Sequence, residues 1–241
     1  MIQPIPLMLL PGLLCDARLW RDQIDGLGDI ARMQVADLGQ DDSVAAMAAP
    51  ALAQAPPQFA LAGLSMGGYV AFEILRQQPE RVQRLALLDT SAAPDSPERA
   101  RQRRMGIQAI RLGKFVGVTR QLLPRLLHAR HVDGEVGEQV QGMARRIGPG
   151  GYLPQQDAIL GRPDSRPLLR DIRMPTLIVV GEDDVMTPPE EAEAIHAGIA
   201  SSRLHRLPAC GHLPPMEQPE RTTALMRQWL PHPPAGSQLV S

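Results

Sequence analysis

Gly63-Leu64-Ser65-Met66-Gly67-Gly68 decides how this 241-residue chain reads, because of what flanks it. Upstream, Gln58-Phe59-Ala60-Leu61-Ala62 is a short apolar run behind Pro56 and Pro57, the pattern of a buried strand. Downstream, Tyr69-Val70-Ala71-Phe72-Glu73-Ile74-Leu75-Arg76 carries apolar residues at helical spacing up to a stop near Pro79. The motif is therefore a strand-to-helix turn with a serine at its tip. A turn that sharp leaves no room for side chains beside the serine, which calls for Gly63 and Gly67 and predicts a strained Ser65 backbone. The five-residue pattern alone recurs by chance; its setting between a buried strand and a helix makes it specific.

A hydroxyl is a poor nucleophile at neutral pH, so Ser65 needs a base, an acid that orients the base, and donors for a developing oxyanion. The base candidate is His212, on a loop after the short strand around Leu204–Leu207 and before a C-terminal helix ending near Trp229. The other histidines fit less well: His205 lies within that strand, His196 on a helix and His232 in a Pro-rich tail. His128 and His131 lack an acidic or Cys partner at metal-site spacing, so no metal is expected. The acid candidates follow Met174-Pro175-Thr176-Leu177-Ile178-Val179-Val180, the most strand-like run in the chain. Of Glu182, Asp183 and Asp184, Asp184 is preferred over Asp183, and Asp89, at the end of Arg84-Leu85-Ala86-Leu87-Leu88, is an outside alternative that reads more readily as a turn residue. The oxyanion donors would be the backbone N–H of Met66, at a helix start, and that of Leu13, in a loop where Gly12 permits a tight turn. Leu14, Met186 and Met216 flank these loops and are the candidate pocket residues.

Strands alternate with helical patterns, which argues for a mostly parallel sheet with helices on both faces. Between Ser91 and about Arg170 the rhythm breaks into three or four amphipathic helices with no convincing strand. One apolar face there holds Phe115, Val116, Leu122, Leu123, Leu126 and Leu127, another Val136, Val140, Met143, Ala144 and Ile147, and Gly148-Pro149-Gly150-Gly151 punctuates the segment. The expected organisation is a core of residues 1–91 and 171–230, a helical lid at 92–170 and a flexible tail at 231–241. From Ala92 to Arg170 there are 14 basic and 7 acidic residues, so a basic lid could recruit an anionic small-molecule substrate. The bland alternative is a solvated face in an arginine-rich chain whose one lysine is Lys114.

The net charge of −1 and the absence of a nucleotide-binding glycine motif give no support to nucleic acid or nucleotide cofactors. No apolar run approaches membrane-spanning length and no signal-peptide layout opens the chain, so a cytoplasmic location is expected. Cys15 and Cys210 then make an unlikely disulfide, and both fall near the expected catalytic edge. Oligomeric state is not readable.

Together, the Gly12 loop through Trp20, the Ser65 turn, Gly181-x-x-Asp184 with Thr187-Pro188-Pro189, and Gly211-His212 with Glu217-Gln218-Pro219 resemble the α/β-hydrolase superfamily, in its small members with a helical lid. The resemblance spans residue 5 to about 230. It implies an α/β fold and a cofactor-free Ser65–His212–Asp184 triad with Leu13 and Met66 as oxyanion donors. Relatives usually carry His-Gly where this chain has Pro11-Gly12, and begin with an extra β-hairpin that this chain lacks, which predicts a short parallel sheet of about six strands. The leading expectation for activity is hydrolysis of a small ester, lactone or thioester through an acyl-enzyme. Carbon–carbon or carbon–oxygen bond chemistry on a carboxylated ring or dienone is the alternative within the fold. A non-catalytic ligand-binding receptor is the alternative of another kind, and the complete set of reactive residues argues against it.

Overall fold

The structure is a computed structural model that describes residues 4–114 and 117–230. Phe115, Val116 and the tail from residue 231 lie outside the described residues. Six strands form one parallel sheet: β1 (Ile5–Leu10), β2 (Ala31–Val35), β3 (Phe59–Leu64), β4 (Val82–Leu88), β5 (Thr176–Gly181) and β6 (Ser202–Leu207). Their order across the sheet is β2-β1-β3-β4-β5-β6. The central strands β3 and β5 are buried along their whole length, which matches their unbroken apolar runs.

Side chains alternate across each strand, so the sheet divides the core in two. Met8, Leu10 and Leu61 point to one face and pack with Met47 of α2 (Val44–Gln54), Phe72 of α3 (Met66–Gln77) and Ile195 of a later helix. Leu7, Leu9 and Ala60 point to the other, against Trp20, Leu27 of α1 (Arg21–Leu27) and Met226 near the C-terminus. The chain leaves β1 toward one edge of the sheet and returns through β3 on its other side. The loops after β1 and β3 therefore diverge at a topological switch point, the place where open parallel sheets bind ligands.

Between β4 and β5 the described residues form helices alone: α4 (Pro97–Arg111), α5 (Leu123–Leu126), α6 (Glu135–Gly161) and α7 (Arg166–Leu169). Of the first expected apolar face, Leu122, Leu123, Leu126 and Leu127 all pack against one core from a single short helical turn and its flanks, with Leu123 and Leu127 buried. Gly148 breaks α6 as its neighbours predict, with φ of 62° and a helix resuming beyond it. That kink lets one helix serve both cores, with Val140 and Met143 on one face of the sheet and Ala158 and Ile159 on the other. The chain closes with α8 (Pro189–Gly198), α9 (Pro214–Glu217) and α10 (Pro219–Trp229). No helix among the described residues is long and apolar enough to cross a membrane.

Candidate active site

Ser65 sits between β3 and α3 with φ of 53° and ψ of −114°, the strain its flanking glycines predict. A Cβ on Gly63 would lie 2.5 Å from the Gly67 carbonyl oxygen, and one on Gly67 would overlap the Leu10 carbonyl, so neither position admits a side chain. Three hydrogen bonds fix the turn: Ser65 N–H donates to Leu88 at 3.0 Å, Gly68 N–H to Ser65 at 2.9 Å, and the Thr90 hydroxyl to the Ser65 carbonyl at 2.7 Å.

Of the three acids after β5, Glu182 and Asp183 point to solvent while Asp184 is buried. Its Oδ1 accepts the N–H of Met186 at 2.7 Å and of Thr187 at 3.2 Å. Its Oδ2 accepts the Thr187 hydroxyl at 2.7 Å and faces His212 Nδ1 at 2.8 Å. Burial alone would raise this carboxyl. The charge and hydrogen bond of His212, with Thr187 and Met186, outweigh it and hold Asp184 below the ordinary carboxylate range. His212 Nδ1 is thus occupied, and Nε2 is the nitrogen left for a substrate or nucleophile. No Ser65–His212 hydrogen bond is formed among the described residues.

The His212 loop is held by a residue whose role the motif does not reveal. Glu217, 4% exposed, accepts three backbone N–H groups, from Gly211 at 3.0 Å, Leu213 at 3.0 Å and His128 at 2.7 Å. His212 N–H itself donates to Leu126 at 2.9 Å, so the helical segment supports the loop from outside.

Opposite lies the loop after β1. Gly12 does not supply a left-handed turn there; that conformation falls on Leu14, with φ of 58°. Gly12 is needed for close approach instead, since a Cβ would stand 3.0 Å from Leu64 Cδ2 and 3.4 Å from Ser65 Cβ. The Leu14 N–H is taken by the Gln155 side-chain oxygen at 3.0 Å, and the Gln155 amide donates to Leu38 at 3.3 Å. Gln155, on α6, is a second site residue invisible in the sequence. Leu13 N–H donates to no acceptor among the described residues, and Met66 N–H, at the first helical position of α3, cannot be taken by its own helix. Leu14 and Met216 are buried in the core on that face, and Met186 is partly exposed.

Cys15 and Cys210 are free and buried, not disulfide-bonded. Burial, then Asp16, pushes the Cys15 thiol up to about 12, and burial pushes Cys210 higher still, so both stay protonated. Two cavities of about 400 and 430 Å³ open elsewhere, one around Thr176, Arg203 and Trp229 and one around Pro6, Arg32 and Phe59, and neither touches Ser65, Asp184 or His212.

A strained serine turn after the third strand, a buried Asp–His pair after the last two strands and an all-helical insertion before β5 define a family. The Alpha/beta hydrolase family model matches residues 9–225. The chain belongs to the α/β-hydrolase family. Among its relatives, the pimeloyl-[acyl-carrier protein] methyl ester esterase of Neisseria meningitidis serogroup C is 32% identical over 81% of this chain and 78% of its own length. The enzyme of that name from Nitrosomonas europaea is 28% identical over 89% of this chain and 91% of its own. A solved thermophilic esterase from Thermogutta terrifontis, with malate bound, superposes with a TM-score of 0.85 at 34% identity, covering 94% of this hydrolase and 89% of its own chain.

Proposed function

We propose that this hydrolase cleaves a small carboxylic ester through an acyl-enzyme on Ser65. The observation that carries the reading is the buried Asp184–His212 pair, with Asp184 held anionic, at the same sheet edge as a strained serine. Ser65 Oγ attacks the ester carbonyl while His212 Nε2 takes its proton, and Asp184 holds the imidazole in the tautomer that leaves Nε2 free. The N–H groups of Leu13 and Met66 receive the oxyanion, the Met66 amide with the help of the α3 dipole. The tetrahedral intermediate collapses, His212 returns the proton to the departing alcohol, and water then releases the acid by the same steps. Relatives named as ester hydrolases favour this over carbon–carbon cleavage.

The helical stretch 92–170 acts as the lid, and its arginines favour an anionic substrate. Arg99 reaches from α4 to the Met186 carbonyl on the acid loop. Arg103 and Arg162 share Asp95 at 2.8 and 2.9 Å, and Arg162 lies 4.2 Å above the Tyr69 ring, one turn beyond Ser65. Three guanidinium groups against one carboxylate leave a positive excess beside α3, suited to a carboxylate or phosphate. The test compares an ester bearing a distal carboxylate with its neutral methyl-ester analogue. We expect higher kcat/KM for the anionic ester at low salt, shrinking as salt is added. Equal rates would remove the anionic preference, and failure to hydrolyse either ester would remove the esterase reading.

A further inference from the structure

The family triad uses one carboxyl, yet a second lies against it. Asp89 follows β4 with φ of 41° and is 1% exposed. Its N–H donates to Val179 at 3.0 Å and its Oδ1 accepts the Gly181 N–H at 2.9 Å. Its Oδ2 is buried and has no hydrogen-bond donor. One ligand-type atom from each of Asp89, Asp184 and His212 lies within 4.8 Å of the others. Asp184 accepts hydrogen bonds on both oxygens, from Met186, Thr187 and His212, whereas Asp89 accepts one. Two adjacent buried carboxyls cannot both ionise at low cost, and the proton goes to the one with fewer donors.

We infer that Asp89 is a positioning residue that stays protonated, its Oδ2–H donating to the Asp184 carboxylate while Oδ1 holds Gly181. The proton converts an orphan acceptor into a donor and links the ends of β4 and β5 to the acid loop. It also limits the negative charge facing His212. Burial first, then the Asp184 charge, raises Asp89 well above the carboxylate range, with Glu217 adding in the same direction and the Gly181 N–H opposing. The other titratable group facing this cluster is the Cys210 thiol, which stays neutral.

Asp89→Asn keeps both contacts, because its carbonyl can accept from Gly181 and its amide can donate to Asp184. Asp89→Ala keeps neither. With the hydrolysed ester as substrate, kcat should fall about tenfold or more in Asp89→Ala and return to within about threefold of the parent in Asp89→Asn. The acid limb of the kcat/KM–pH profile should not move in Asp89→Asn. A downward displacement of about one pH unit would mean that the parent residue carries a negative charge, and the inference fails. Near-parental activity in Asp184→Asn combined with collapse in Asp89→Asn would make Asp89 the triad acid and also overturn it. Loss of activity on chelation, restored by a divalent cation, would place a metal between the carboxyls in place of the proton.

This kinetic arm rests on the esterase reading; a stability arm does not. A folded-state pKa raised above the unfolded value contributes stability below the unfolded pKa and loses it as pH rises toward the folded one. Parent stability should therefore decline relative to Asp89→Asn between pH 4 and pH 7, seen as a Tm difference in favour of the variant that widens with pH. A Tm difference that is flat over that range contradicts a protonated Asp89 whatever the substrate.

Discussion

The two loops beside the Ser65 turn are secured in different ways. On the side of the proposed base, His212 is tied through Asp184, its own N–H is fixed to Leu126, and Glu217 clamps the N–H groups on both sides of it. On the side of the proposed oxyanion donors, the loop after β1 has two long-range tethers from α6, the neutral Gln155 side chain on the Leu14 N–H and the Arg146 guanidinium on Asp16 at 2.6 and 3.1 Å, beside the local Cys15–Gly12 turn bond at 3.1 Å. As the proposed base, His212 must keep one tautomer and one orientation through a proton-transfer cycle, which ionised, redundantly bonded partners impose. The proposed oxyanion loop needs one amide aimed correctly, and next to that amide the tether is the neutral Gln155 side chain from α6. It also makes that aim depend on the helical insertion beyond the Gly148 kink.

The contrast breaks most visibly at Asp184. Asp184→Asn removes the charge that faces His212 and should lower kcat by about 10⁴-fold with the fold intact, as in the serine-protease triad. Asp183→Asn, at an exposed position, should change kcat little. Comparable losses at both positions would mean that the loop as a whole, and not its buried carboxylate, supports the base.

A smaller effect sharpens the other side. Gln155→Ala frees the Leu14 N–H and should lower kcat by about tenfold to a hundredfold with KM nearly unchanged, below the loss from deleting an oxyanion donor outright. Gln155→Glu keeps the acceptor and should recover part of the rate. A rise in KM with kcat preserved would mean that Gln155 shapes the substrate cavity and does not aim the loop.

Much of this was open to sequence reading because the relevant constraints are local. Gly63 and Gly67 announce a serine turn through steric need alone, and the β-branched run into Gly181 announces the strand that delivers the acid. Asp184 is already preferred in the sequence among the three adjacent acids, and the packed loop adds the physical reason, its burial beside two exposed neighbours. Gln155, and the clamping role of the motif residue Glu217, were illegible because their partners are backbone amides far away or across a loop, and no residue type marks a backbone amide. Asp89 read as a turn residue and ends β4 with a φ of 41°, but its carboxyl lies within 4.8 Å of that of Asp184, a neighbour that sequence separates by 95 positions. The edge strand β2 escaped because Ala31-Arg32-Met33-Gln34-Val35 alternates around a half-exposed surface and lacks an apolar run. The Leu122–Leu127 run forms one helical turn containing Pro124, and its four leucines join one core as an apolar face should, while Phe115 and Val116 of the expected face lie outside the described residues.

The central claim is that Ser65 is the covalent nucleophile, and active-site labelling tests it most directly. A fluorophosphonate should add one adduct, found by peptide mass spectrometry on the peptide that carries Ser65. Both the adduct and ester turnover should vanish in Ser65→Ala while the variant keeps its Tm. An adduct on another residue, or a Ser65→Ala variant that hydrolyses esters at the parental rate, would contradict the account.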